Sequence, residues 1–580
     1  MRIAFLTQQF PHTRMGGIGA YTVSAAAALA AADVDAHIFT FTLPDDVRAK
    51  LPTLAPRVRV HEVADLAQRV AAGTLAAELS AAIQIGGDVT YRLAMAALLS
   101  DAALAAHAAM PFDVIEAPEY EALGVPLALR LANMAGGAAG EKWPALVTHL
   151  HSGSAINRRG NNLPTTAGDL AVDALELAAI QLADAVCAPS EAVVRETRVG
   201  LPFERAVEVI PLAVQREGAE GYTPPPANGP IVFVGRLERL KGADVLIHAA
   251  NAFLSRCAEA RIVIIGPDSP TAPANSGFQS MQQWMKSKLD AALHGRVEFT
   301  GELPPSEVSR YERAGSFVVV PSLFESFSLV AAGALAQGRP VIVSSGIGTT
   351  EVVGDAGMTF ARGDAAALAD AMEKLWGDAE LLAELSKRAY ARARERFDPA
   401  VVVPKRLAFY ERVAAAAQGF DAATMDRRLA GIPAPFAGAL VRPLVSLTEH
   451  LAGIRTGATL TPGQRLLEIM ERLKKANGAP AQVLLYGAGR HSARVLAEKH
   501  LWESQGHRVV GFVDDAPRWN SGGAHLGLPV QTGSKILAQA IARQTLCPVV
   551  LSSDTFEDQF WEKTASLRGA GVRVLRLYGK

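Results

Sequence analysis

Short runs rich in Val and Ile recur along the chain, each followed by a longer stretch of helical character, and this alternation constrains the fold more than any other feature. A strand that is apolar on both faces needs cover on both, and a helix-length return lays the next strand parallel to it. Strands are expected at Arg2–Thr7, Ala36–Thr40, Val58–Val60, Val114–Glu116, Ala145–His149, Ala185–Ala188 and Val207–Ile210. The segment GAEGYTPPPANG at 218–229 is too rich in Gly and Pro to continue regular structure. A second series follows at Ile231–Val234, Arg261–Ile265, Val297–Thr300, Phe317–Val320, Val341–Ser344 and Met358–Phe360. A charged helix is expected near Ala379–Phe397, and another over Pro404–Ala417. Residues 418–480 read as a helical connector, after which VLLYGAG, VVGFVDD, CPVVLSSD and VRVLRLYG open a third α/β series. The expected class is α/β: twin Rossmann-like domains with parallel sheets at 1–217 and 218–417, and a third, small Rossmann-like domain at 481–580.

At 580 residues the chain exceeds what one core can cover, which agrees with several domains. Lys and Arg total 57 against 58 Asp and Glu, so nucleic acid and anionic membrane are not expected as main partners. The three cysteines, Cys187, Cys257 and Cys547, show neither disulfide nor zinc spacing, which suits a reducing compartment. The opening MRIAFLTQQF reads as a first strand rather than a cleavable leader. The Ala-rich stretch Leu93–Met110 is interrupted by Asp101 and His107, so a buried or amphipathic helix is expected there, not a transmembrane span. Together these give a cytoplasmic expectation, with membrane contact at most peripheral to the inner membrane.

Ligands of open parallel sheets bind beyond the carboxyl ends of the strands, so the chemistry is sought just after each strand. After the first comes HTRMGGIGAY, where Gly16, Gly17 and Gly19 let the backbone approach a phosphate or a hydroxyl at a helix start. After the first strand of the second series comes VGRLERLKGADVL. Arg236 and Lys241 there sit where two cations can hold a diphosphate and stabilise it as it leaves, whereas Arg239 reads as a solvated surface charge. The third segment is PSLFESFSLVAAGALAQGRPVIVSS. Glu325 lies in its strand-to-helix loop and is placed to accept from sugar hydroxyls, and the amides of Phe327, Ser328, Leu329 and Val330 open a helix fit for phosphate. The acidic pair Asp33 and Asp35 falls at the wrong sheet edge for a ligand and reads as a surface turn, and no metal site is expected.

The strings GGIG, FDVIEAPEYEALG, VIPLAV, GRLERLKG, PSLFESFSLV and GDAGMTFARGDAAALADAM, in this order over residues 1–417, resemble family-4 retaining glycosyltransferases of the GT-B fold. The resemblance implies hexosyl transfer from a nucleotide diphosphate sugar to a saccharide or lipid-linked acceptor, with no metal or other cofactor, in cell-surface polysaccharide or glycoconjugate synthesis. It implies that Gly16 and Gly17 contact donor phosphate or acceptor, that His151 in VTHLHSG lies near the transferred sugar, and that Arg236 and Lys241 bind the diphosphate. Glu325 then contacts the donor sugar, and Phe327, Ser328 and Leu329 present their amides. The last helix of the second domain is expected to cross back to the first. The chain departs from the family at Gly333, where a second glutamate that holds the ribose is expected, and at Ser328, where glycine is common. The Gly333 departure keeps a second class open, a non-catalytic sugar-nucleotide or glycan-binding scaffold derived from such an enzyme.

In the third series Gly487 and Gly489 follow a strand and Asp514 ends the next, approximating a dinucleotide fingerprint with Ser492 at the third glycine position. The stretch resembles the small Rossmann-like domains of polysaccharide-biosynthesis epimerases and of some sugar acyltransferases. A second nucleotide-like site and a docking domain both remain open there.

Overall fold

The computed structural model describes residues 1–10, 17–48, 57–73, 87–134, 143–214, 221–270, 272–273, 276–417, 422–433, 436, 462–486, 490–514, 523–532, 535–536, 539, 548–551, 561, 563–569 and 572–576. The first sheet comprises β1 (Arg2–Leu6), β2 (Asp35–Phe41), β3 (Val58–Val63), β4 (Val114–Pro118), β5 (Ala145–His149), β6 (Ala185–Ala188) and β7 (Val207–Val209), in the order β3-β2-β1-β4-β5-β6-β7. Every neighbouring pair is parallel, from Ile3 opposite Ala36 to Cys187 opposite Glu208. The second sheet comprises β8 (Ile231–Val234), β9 (Ile262–Ile265), β10 (Val297–Gly301), β11 (Phe317–Val320), β12 (Val341–Ser344) and β13 (Met358–Phe360), in the order β10-β9-β8-β11-β12-β13, again all parallel. Strands β4, β5, β9, β11 and β12 are buried at every position, as sheets covered on both faces require.

The chain divides into two units, residues 1–68 with 92–445, and residues 69–91 with 446–580. The first holds both of these sheets, and one buried cluster runs from Ile3 and Val147 of the first sheet to Val232 and Val343 of the second. The helix Pro399–Ala416 joins them. Asp398 caps it by accepting from the Ala400 amide at 3.0 Å, so it begins at Pro399 and carries Pro404 inside, where the sequence had predicted a start at Pro404. Its side chains reach the first sheet, where Arg406 meets Glu116 of β4. The helix Gly87–Ala109 contains a stretch, Val89–Ala109, long and apolar enough to cross a membrane, and 61% of an apolar 18-residue window within it is buried inside the protein. Within it Asp101 pairs with the buried Arg130.

The second unit is a smaller α/β body. Its strands β14 (Gln482–Tyr486), β15 (Arg508–Val513), β16 (Gly523–His525), β17 (Leu528–Gln531), β18 (Val549–Leu551) and β19 (Val574–Arg576) are ordered β16-β17-β15-β14-β18-β19. The hairpin β16–β17 is antiparallel and the other pairs are parallel. The helix Pro462–Asn477 packs Leu466, Met470 and Leu473 into its core.

Candidate active site

Sheet order fixes where the site lies. In the second sheet β8 has β9 on one side and β11 on the other, so its carboxyl end is the point where the strand order reverses and a crevice opens. The loop leaving β8 carries Arg236 and Lys241, and the loop leaving β11 carries Glu325. Glycines let these loops close on one another. Gly242 sits at φ +72°, and a Cβ there would lie 2.0 Å from the Pro321 carbonyl oxygen. The resulting approach sets the Lys241 ammonium 2.8 Å from Glu325 Oε1. The Ser322 hydroxyl donates to the same oxygen at 3.1 Å, and the Gly348 amide donates to the Glu325 carbonyl at 2.9 Å. Glu325 is therefore held from three sides. Arg236 lies in the same loop but faces a different carboxylate, with its guanidinium 3.0 Å from the buried Glu238, and it remains about half exposed.

Beyond Glu325, Phe327 is buried and packs edge-on against Phe397 at 5.4 Å, so its side chain is a core anchor and only its backbone remains to serve the loop. Ser328 adopts φ +82°, a region in which L residues are strained, which accounts for glycine being common at this position in the family it resembles. Its hydroxyl accepts from the Ala331 amide at 3.2 Å and caps the helix Leu329–Ala336. Leu329 and Val330 form the first turn and pack against the shared core. Gly333 is buried in the middle of this helix.

On the facing domain Gly16 lies outside the described residues. Gly17 is the exposed first residue of the helix Gly17–Ala31. The glycine that the packing requires is Gly19, where a Cβ would stand 2.8 Å from the Gln9 carbonyl oxygen. His151 follows β5 and is buried, with its Nε2 3.1 Å from Nδ1 of His149. Burial, with the Arg406 charge adding, pushes its imidazole down to about 3, so it is neutral at physiological pH and is a poor reservoir for a proton.

Two buried carboxylates hold the His151 loop, and the sequence reading assigned neither a role. Both oxygens of Glu119 lie 2.8 Å from the His151 amide. Glu176 accepts from the Ser154 amide at 2.8 Å and from its hydroxyl at 2.7 Å. Burial first, and the neighbouring Glu176 charge second, raise Glu119 to about 8; burial raises Glu176 to about 7. Glu119 stands in the FDVIEAPEYEALG string, yet nothing in that string separates a buried carboxylate from an exposed one.

The two domains touch around this crevice. The Ser190 hydroxyl donates to the Ser326 carbonyl at 2.5 Å, and Glu351 accepts from the Glu191 and Ala192 amides at 2.9 and 2.7 Å. Arg239 is exposed, as expected of a surface charge, and its guanidinium also donates to the Gly160 carbonyl at 2.9 Å across the crevice. The structure thus brings Lys241 and Glu325 into contact, sets Arg236 in the loop that carries Lys241, and places His151 on the other domain. Gly487 and Gly489 lie outside the described residues. Asp514 follows β15 in the second unit, its amide donating to the Gln531 carbonyl at 2.9 Å.

Residues 16–213 match the model of the glycosyl transferase 4-like domain, and residues 229–378 match that of the glycosyl transferases group 1. A D-inositol 3-phosphate glycosyltransferase of Nocardia farcinica is 34% identical over 172 residues, 29% of this chain and 37% of the relative. The homologous enzyme of Frankia alni is 33% identical over 169 residues, 28% of this chain and 40% of the relative. The chain thus spans well under half the length of these relatives. Among solved structures, a sucrose-phosphate synthase from Thermosynechococcus elongatus superposes with TM-score 0.54 at 21% identity over 72% of this chain and 100% of its own. Anabaena HepE, solved with UDP and glucose, gives TM-score 0.51 at 19% identity over 71% of this chain and 100% of its own. At these identities the likeness is one of fold. The chain therefore carries a glycosyl transferase 4-like domain followed by a glycosyl transferases group 1 domain, in a GT-B-like arrangement of two parallel-sheet domains.

Proposed function

We propose that this chain is a metal-independent retaining glycosyltransferase that moves a hexosyl group from a nucleotide diphosphate sugar to a hydroxyl acceptor, in the synthesis of cell-surface polysaccharide or glycoconjugate. The observation that carries the reading is the Lys241–Glu325 contact at the point where the second sheet reverses its strand order, with Arg236 in the same loop. The relatives' identity as D-inositol 3-phosphate glycosyltransferases, and the UDP and glucose bound by HepE, agree with it.

In this reading Glu325 receives donor-sugar hydroxyls, while Lys241, Arg236 and the amides at the start of the helix Leu329–Ala336 face the diphosphate. The bond from the anomeric carbon to the diphosphate breaks and its electron pair stays on the phosphate oxygen. The acceptor oxygen bonds to the same face, and its proton passes to the departing phosphate. Fixed cations in a crevice closed by the opposing domain favour the charge that grows on the leaving group. The neutral, buried His151 supplies positioning rather than a proton sink. Removing one cation or the sugar contact is expected to cost roughly 100-fold or more in turnover, by analogy with deletion of other preorganised charge-stabilising groups. Donor turnover by Arg236→Ala and Glu325→Ala proteins tests this; near-normal rates in both overturn the assignment.

The glycine at position 333 favours a second reading, a sugar-nucleotide-binding scaffold without turnover, because no carboxylate stands there to hold a ribose. Calorimetry with a panel of nucleotide sugars beside a turnover assay separates the two: binding with turnover supports the enzyme, binding without it the scaffold. For the C-terminal unit the reading is a nucleotide or sugar-nucleotide site. β14 lies between β15 and β18, so the strand order reverses there, and Gly487, Gly489 and Asp514 follow β14 and β15 in sequence.

A further inference from the structure

A second opening lies between the two Rossmann-like domains, with a volume of about 420 Å³. Its walls carry three guanidinium groups, Arg159, Arg239 and Arg362, against a single carboxylate, Glu196. Leu323 and Phe324 complete one side, and the next residue in the chain is Glu325. Neither Arg236 nor Lys241 lines this opening, so a donor diphosphate held by that pair leaves it free for the other substrate.

The three cations are only partly neutralised. Arg159 lies 3.3 Å from Glu196, with both side chains partly exposed. Arg239 stands 3.8 Å from Asp244 and is steadied by the Gly160 carbonyl at 2.9 Å. Arg362 is exposed, touches the Leu323 carbonyl at 3.4 Å, and makes no ion pair among the described residues. Arg159 belongs to the N-terminal domain and Arg239 and Arg362 to the other, so a ligand that meets all three bridges both. Guanidinium forks suit planar or tetrahedral oxyanions.

We infer that this opening holds the acceptor, and that the acceptor carries an oxyanion, a phosphate or a carboxylate, on or near the sugar that receives the transfer. The inference rests on the proposed transferase reading and specifies its second substrate. The oxyanion sits among Arg159, Arg239 and Arg362, and the attacking hydroxyl lies toward Glu325. Glu196 weakens the hold on any anion that crowds Arg159, since its charge opposes it.

The test uses the full chain with UDP present throughout, so that any diphosphate site is filled. Binding of glucose 6-phosphate, glucuronate and uncharged glucose is measured by calorimetry. At least one of the charged sugars is expected to bind roughly five- to tenfold more tightly than glucose, as one or two partly exposed charge-assisted bonds give. Which one binds tells phosphate from carboxylate. The advantage is expected to vanish in an Arg159→Gln/Arg362→Gln double variant and to grow in Glu196→Gln. Both arginines are partly or fully exposed, and an unchanged melting temperature confirms that the double variant folds. Equal binding of charged and uncharged sugars, no binding of any of the three, or an undiminished advantage in the double variant overturns the inference. Binding of UDP itself, compared in wild type and Lys241→Ala, reports separately on the donor reading.

Discussion

The buried pair Arg406–Glu116 carries a prediction whose size follows from the structure. Glu116 is 2% exposed and Arg406 5%, and the guanidinium lies 3.3 Å from the carboxylate. Glu116 also accepts from the hydroxyls of Tyr21, at 2.5 Å, and Tyr410, at 2.6 Å. Arg406 donates to Tyr21 at 2.7 Å, while its Nη2 has no hydrogen-bond partner among the described residues. Replacing Glu116 by Gln leaves a full guanidinium charge in the interior with only neutral oxygens beside it, which costs about 3–5 kcal/mol. Arg406→Met strands the carboxylate instead; with two phenol donors remaining, and protonation available to it, the cost sits near the lower end, about 3 kcal/mol. The double variant leaves no uncompensated charge, so its loss should fall at least about 2 kcal/mol short of the sum of the singles. In a unit of roughly 400 residues, a loss of 3–5 kcal/mol lowers the melting temperature by about 3–6 °C. Scanning calorimetry of the full chain, following the transition of the larger unit, reads all three variants against wild type. Additive losses, or single variants within about 1 °C of wild type, refute the claim that this charge pair fastens the returning helix to the first sheet.

Ser328→Gly is expected to raise stability by about 0.5–2 kcal/mol. It relieves a strained φ of +82° and gives up a cap that glycine replaces at a cost of only a few tenths, whereas Ser328→Ala keeps the strain, loses the bond to Ala331 and costs about 1 kcal/mol; the reverse order of melting temperatures refutes this. Glu119 and Glu176 bind protons more readily in the folded chain than in the unfolded one, so their contribution is whole below the ordinary value of 4.5 and is lost as pH rises to about 8. His149 and His151, whose imidazoles burial holds neutral, act in the opposite sense and gain as pH rises through 6.5, so the carboxyl effect is read as the difference between wild type and a Glu119→Gln/Glu176→Gln protein. A difference in melting temperature that does not change between pH 4.5 and 8 contradicts the assignment.

Much of the frame is written in local sequence. The core of nearly every expected strand in the first two series matches an observed one because a doubly covered strand must be apolar throughout, a property visible without knowing what covers it. The loops that carry Lys241 and Glu325 were legible for a similar reason: residues after a strand and before a helix lie at the sheet edge in any parallel α/β fold. Their contact was not legible. It depends on Gly242 lying against the Pro321 carbonyl, a meeting of residues 79 positions apart. Arg239 is exposed, as its place in a loop suggests, but its bond to the Gly160 carbonyl of the opposing domain was not legible. The start of the last helix was misplaced because Pro404 looks like a first residue, whereas Asp398 and Pro399 already form a cap and first turn.

By itself the sequence determined the parallel α/β series, the reversal points where ligands gather, and the residue types offered there, since each follows from hydrophobic period and chain punctuation over a few residues. The tertiary structure alone decided which charges are buried and what they face. Glu116, Glu119 and Glu176 differ little from other glutamates in one dimension, but in the fold one is bound to an arginine 290 residues away and the other two clamp the His151 loop. The physical reason is that desolvation and Coulomb energy depend on distance in space, and the chain sets that distance only once its helices and sheets have packed.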